Sequence, residues 1–306
     1  MADSEATINP WFVRGAIGIA LGLTVWLAGP RAVTVLKSRF GGAASGPAVD
    51  LSKVGIDRVP EWLRGPVLEQ VLLDLEPTLS GAIGWHDESG CEALCAVLAR
   101  SPWVADARLR RRYPDRFGLQ VELRRPVLAV TADRRIRAMV AEDGFVLPPP
   151  PRVPDLPIVE LPEGVVDATV REGEACGDPR VRCAVAVAIE WRDHVAPAVA
   201  DAPALLEIDA RNLGGRFIAD PRYSEIAIAL ASADGGATWM QYGRSVEQGG
   251  AVDAETKAAI LASVLAEFPG LRGLANGDLR LRNRWRDCLV RRTHGDLANG
   301  SMRLPR

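Results

Sequence analysis

The chain has 306 residues, 48% hydrophobic and 25% charged, enough for about two domains at the usual ~100 to 200 residues each. That composition excludes a largely disordered chain, and a formal net charge of -2 with a pI near 6.0 leaves no global basic field to hold phosphates, which excludes nucleic acid as the default partner. Five cysteines, Cys91, Cys95, Cys176, Cys183 and Cys288, are odd in number and irregularly spaced, so they form no disulfide framework.

The first element is an uncharged run from Gly15 to Gly29, which as a helix covers ~22 Å of a ~30 Å hydrocarbon core. Extended back through Trp11, Phe12 and Val13 it reaches ~28 Å, with Arg14 able to snorkel. Trp11 and Trp26 suit the two interfaces, so the run is read as a single membrane span. A cleaved signal peptide is one alternative, disfavoured by Trp26 and Leu27 before the small Ala28 and Gly29, and by Pro30 after them. A buried core helix is another, disfavoured because a Gly/Ala/Ser linker, Gly41 to Pro47, follows and would isolate it. Arg31, Lys37 and Arg39 follow the span while Asp3, Glu5 and Arg14 lie at or before its start, the reverse of the positive-inside bias. Large downstream domains translocate despite such charges, and the C-terminal part is placed outside the cytoplasm.

Beyond the linker, Val49 to Ile56 reads as a short strand. Leu68, Val71, Leu72 and Leu75 recur at helical spacing between Gly65 and Glu76, and Cys91, Leu94, Cys95 and Leu98 do so between Glu88 and Arg100. Two alternating strands follow, Trp103 to Arg111 and Phe117 to Arg124, joined by a Tyr113, Pro114, Asp115 turn. The order is β-α-α-β-β, a small sheet with two helices on one face.

The hairpin SPWVADARLRRRYPDRFGLQVELRRPVLAV, residues 101–130, resembles the corresponding segment of the POTRA domain in the FtsQ/DivIB family. VAEDGFVL (140–147), LPIVELPEG (156–164), a helix over Pro179 to Val195, LLEIDARN (205–212) and EIAIALASADGGATWMQYGRS (225–245) continue the likeness. A helix over Asp253 to Glu267 and strands DLRLRN (278–283) and DCLVRR (287–292) close it. The chain departs from the family in a proline-rich insert around Pro148 to Pro151, a longer last turn (Asn283 to Arg286), and Leu281 where a tyrosine is expected. The resemblance implies an α+β chain with an N-terminal transmembrane helix, a β-α-α-β-β POTRA-like domain, and a mixed β-rich domain with two helices. Its parts are a cytoplasmic tail (1–10), the span and juxtamembrane stretch (11–36), a linker (37–48), the POTRA-like domain (49–126), the β domain (127–292) and a tail (293–306).

Catalytic chemistry finds little footing. His86, His194 and His294 are scattered, and neither Ser232 nor Ser245 sits in a nucleophile elbow. His86, Asp87, Cys91 and Cys95 offer four potential zinc donors within ten residues, without the tighter Cys-x2-Cys or second pair of a structural site; no metal and no cofactor is expected. The resemblance implies a non-enzymatic, single-pass scaffold of the cytoplasmic membrane with periplasmic domains. Its partners would be other membrane-anchored division proteins (FtsB/FtsL-like or equivalent), with no nucleic acid and no small-molecule substrate. The alternative is a POTRA-type chaperone or secretion component binding strands by β-augmentation. Partner contact is expected on the two C-terminal strands, where Leu279, Leu281, Leu289 and Val290 supply apolar surface and Arg280 and Arg291 favour an acidic partner, as Arg282 and Arg292 beside them do; otherwise that hairpin merely closes the domain. Alternation places Arg108, Arg110 and Arg112 on one face as a second surface, near Arg111, Arg116, Arg124 and Arg125, which Arg137 extends.

Overall fold

Alternating apolar residues, punctuated by glycine and proline, give a mixed α+β architecture in the computed structural model, which describes residues 48–51, 55–56, 60–63, 65–79, 81–112, 116–149, 155–214, 224–244 and 249–292. The expected span at 11–36, the Gly41 to Pro47 linker, the 113–115 turn, Pro150 and Pro151, Ser245 and the tail with His294 lie outside the described residues. Among the described residues no helix is long and apolar enough to cross a membrane. The chain divides into two units, residues 1–123 and 124–306.

In the first unit, β1 (Ala48–Asp50) pairs antiparallel with β3 (Ala82–Gly84). β2 (Gly55–Ile56) runs parallel to β5 (Arg116–Leu123), which pairs antiparallel with β4 (Val104–Arg112). Two helices intervene, α1 (Gly65–Leu75) and α2 (Glu88–Leu98). The single strand expected over Val49 to Ile56 is therefore two short strands with different partners, and β3 stands where only a turn was expected. Ile83 accounts for that strand: flanked by Gly81 and Gly84, it gives little sequence signal, yet its side chain is buried and it pairs with Val49. Asp87 caps α2 by accepting the Gly90 N–H at 2.9 Å, which satisfies one of the backbone donors left free at a helix start. Gly90, Leu94 and Leu98 form the buried stripe of α2, and Cys91 and Cys95 are half-buried beside it. Trp103 is fully buried, its indole N–H donating to Asp74 at 2.8 Å, as a buried indole requires.

The second unit is built on one nine-stranded sheet. Its strands are β6 (Pro126–Ala132), β7 (Arg135–Ala141), β8 (Val146–Leu147), β9 (Ile158–Glu160), β10 (Leu205–Asp209), β11 (Ile226–Ala231), β12 (Ala237–Gly243), β13 (Leu274–Asp278) and β14 (Val290–Arg291). They lie in the order β14-β13-β12-β11-β10-β9-β6-β7-β8. Three pairs are parallel, β6 with β9, β9 with β10, and β12 with β13, and parallel neighbours need crossover connections. Helices α3 (Glu163–Thr169) and α4 (Pro179–Glu190) lie in the β9–β10 crossover, and α5 (Ala254–Glu267) lies in the β12–β13 crossover. That makes three helices where two were expected, because α3 begins at the end of the 156–164 stretch and runs on to Thr169. Asp178 caps α4 and Pro179 opens it, the favoured pairing at a helix start. A π-helical turn, Trp191–Val195, continues α4 and buries both of its end residues.

The helices cover one face of the sheet. Leu128, Val130, Val140, Ile208, Ile226, Ile228 and Met240 meet Val181, Val187, Ile260, Leu261 and Val264 there in one core. Inside that core Lys257 of α5 is wholly buried, its Nζ 3.0 Å from both carboxylate oxygens of Glu190 and 3.8 Å from the ring centre of Tyr242. The Tyr242 hydroxyl donates to the same carboxylate at 2.8 Å.

Candidate interaction site at the sheet edge

The C-terminal elements differ from the two strands expected over 278–283 and 287–292. Only Asp278 of the first stretch is in a strand, as the last residue of β13, and only Val290 and Arg291 of the second are, as β14. The cause is local. The buried Asp278 carboxylate accepts the backbone N–H of Arg280 at 2.8 Å and pairs with its guanidinium at 2.6 Å, and such a side-chain turn competes with a strand ladder. The chain then turns at 282–284 and enters a 3₁₀ turn, Trp285–Cys288, with Trp285 buried.

Six residues were expected to make the contact surface, and the structure divides them. Leu279 is buried, Leu289 packs half-buried against the core, and Arg280 is held by Asp278. Leu281 and Val290 are 40% and 50% exposed, and Arg291 is also exposed, with its guanidinium 5.5 Å from the Phe268 ring centre. Among the described residues β14 has no neighbour on its outer side. The other end of the sheet is covered: the Val146 N–H of β8 donates to the Glu174 carbonyl at 2.9 Å, and the Val146 carbonyl accepts the Gly173 N–H at 3.0 Å. Among the described residues the open edge is thus the C-terminal one, and unpaired strand edges are templates for an incoming strand.

At this edge Arg292 was expected to favour an acidic partner, and Asp234 was not singled out in the sequence. Arg292, just past β14, pairs with Asp234 in the β11–β12 turn. The Asp-Gly-Gly run at 234–236 signals a turn, but nothing in the sequence ties that turn to a residue 58 positions later. Nearby, Ser224, Glu225, Gly243, Arg244 and Arg280 line a cavity of about 170 Å³, below the ~300 to 1,000 Å³ of small-molecule sites. Its charges are matched, Glu225 with Arg244 at 2.8 Å and Asp278 with Arg280.

The second expected surface is present in part. Arg108 and Arg110 are exposed on β4, the outer strand of the β2-β5-β4 sheet, with Arg108 2.8 Å from Asp106. Arg112 ends the same strand. Arg111 is held elsewhere, by the Trp85 carbonyl and Glu88. Arg124, Arg125 and Arg137 belong to the second unit, where they pair with Asp143, Glu142 and Asp167.

The residues of the zinc-donor stretch hold other contacts. Asp87 accepts from Gly90 and from the Ser89 hydroxyl, and burial raises both the Cys91 and Cys95 thiol pKa. Among the described residues no three His, Cys, Asp or Glu side chains gather as a metal site. Ser232 donates its hydroxyl to the Leu271 carbonyl at 3.0 Å. His194 is exposed in the π-helical turn. In comparison with known proteins, no family model matches this chain and no curated protein matches it.

Proposed function

We propose that the chain is a non-enzymatic, membrane-anchored scaffold of the FtsQ/DivIB type, whose second unit recruits membrane-anchored division proteins by taking an extended segment along β14. The observation that carries this reading is the open edge itself: among the described residues β14 ends the sheet, with Val290, Arg291 and Leu281 exposed beside it. The apolar run at 11–36 supports the anchor. The helices and β2-β5-β4 sheet of the first unit support the POTRA-like assignment.

Confinement to one membrane raises the effective concentration of partners anchored beside it, so a short edge suffices where a soluble protein would need a larger interface. Exposed Arg282 and Arg291 favour an acidic segment. The test is retention of membrane-anchored partners from a detergent extract on the full chain, compared with Leu281→Glu and Val290→Glu. Each substitution puts a carboxylate against an acidic partner and should cut retention about tenfold, the effect of ~1.4 kcal/mol, while leaving the melting temperature near wild type. Full retention by both folded variants would sink the β14 reading and move recruitment to the Arg108 and Arg110 face of β4.

A further inference from the structure

β14 is too short to hold itself in place. It has two residues, against a usual ~5 to 6 for strands, and its pairing with β13 shifts register between Leu274 and Asn276. Two attachments flank it. On the N-terminal side Leu289 lies beside Gly277, where an added Cβ would come within 2.5 Å of the Met240 sulfur and 3.5 Å of Leu289 Cδ2. On the C-terminal side the Arg292 N–H donates to the Gly273 carbonyl at 2.8 Å.

The Arg292 side chain then reaches back to the β11–β12 turn. It donates to the Asp234 carboxylate and, at 2.5 Å, to the Ala237 carbonyl. It lies against Gly236, where a Cβ would sit 2.7 Å from its Nη1, so a larger residue would block the approach. The second Asp234 oxygen accepts the Gly273 N–H at 3.1 Å. One carboxylate thus joins the hairpin turn, the turn before β13 and the residue after β14. The Arg292 and Asp234 side chains are only 8% and 23% exposed, so water screens the pair weakly, and charge-assisted bonds of this kind are about twice as strong as neutral ones.

We propose that Asp234 and Arg292 are positioning residues of the docking edge, pinning β14 to the sheet so that the strand is ordered before a partner arrives. The proposal rests on β14 being that edge. A pre-ordered strand binds better because the cost of ordering it is not charged to association.

Hydrogen exchange read by mass spectrometry on the full chain tests this without a partner. In Arg292→Ala and in Asp234→Asn, amides across 274–291 should exchange about tenfold faster, while those of α4 and α5 keep their wild-type rates. The double variant should add little to either single one, because both remove the same pair. Arg292→Lys, which keeps the charge without the two-pronged donor, should fall between wild type and Arg292→Ala. Unchanged exchange at 274–291, or an acceleration spread evenly through the second unit, would overturn the proposal. Either result leaves β14 docking to be judged by Leu281→Glu and Val290→Glu, which do not touch the Asp234–Arg292 pair.

Discussion

Lys257 shows how the second unit tolerates a charge in its core. Burial pulls its pKa below the ordinary lysine range, opposed by the Glu190 carboxylate. Burial also raises the Tyr242 hydroxyl pKa, helped by the same carboxylate. Glu190→Gln leaves the ammonium without its counter-charge and should cost ~3 to 5 kcal/mol in urea denaturation. Replacing both partners, Lys257→Met with Glu190→Leu, should recover most of that loss, since a buried ion pair and a well-packed apolar pair are often close in free energy. A double variant no better than Glu190→Gln would show that the pair does more than balance its own charges. Asp178 gives a pH dependence. Burial, the largest influence, would raise its pKa, but bonds from the Arg180 guanidinium and backbone N–H outweigh it and hold the carboxyl below the ordinary range. Its contribution is therefore full above the unfolded value of ~3.9 and is lost as pH falls through the folded one. Asp178→Ala should cost ~1 to 2 kcal/mol at pH 7 through loss of the helix cap, and its gap from wild type should narrow below pH 4 in denaturation curves.

Elements with strong periodicity were legible: α2 and the β4–β5 hairpin fall close to where spacing put them, while α5 and the β11–β12 hairpin fall close to where the family resemblance placed them. Those decided by contacts distant in sequence were not. β13 has the sequence LANGD, poor in strand formers, and it forms because Trp239 to Gln241 of β12 pair with it. The better-looking alternation of Leu279 and Leu281 fails because Asp278 captures Arg280. Of the six candidate contact residues, chain position indicated a stretch that reaches a sheet edge but could not separate Leu279, which is buried, from Leu281, which is not. In β5, alternation placed Leu119 and Val121 on one face, yet Leu119 is buried and Val121 only half-buried. Ala105 is exposed, where the pairing shifts register between Val104 and Asp106. A buried carboxylate without a partner costs several kcal/mol, ~3 or more, so Leu119→Asp should lower the melting temperature far more than Val121→Asp. Equal losses would mean that both positions are closed to water in solution.

For the whole molecule, the proposed anchoring by residues 11–36 makes a simple demand: a reporter that works only outside the cytoplasm should be active when fused after Arg306, and the chain should stay with membranes in high salt. Reporter activity confined to the cytoplasm would reverse the orientation and restore the rule that Arg31, Lys37 and Arg39 break. The pairing of Asp234 with Arg292 also has a consequence in time. The two residues are 58 positions apart, so at ~5 to 20 residues per second about 3 to 12 seconds of synthesis separate them. During that interval the hairpin turn has been made while its clasp does not yet exist, and an unfinished chain carries no fastened outer strand. On the docking reading, recruitment then waits until translation has passed residue 292.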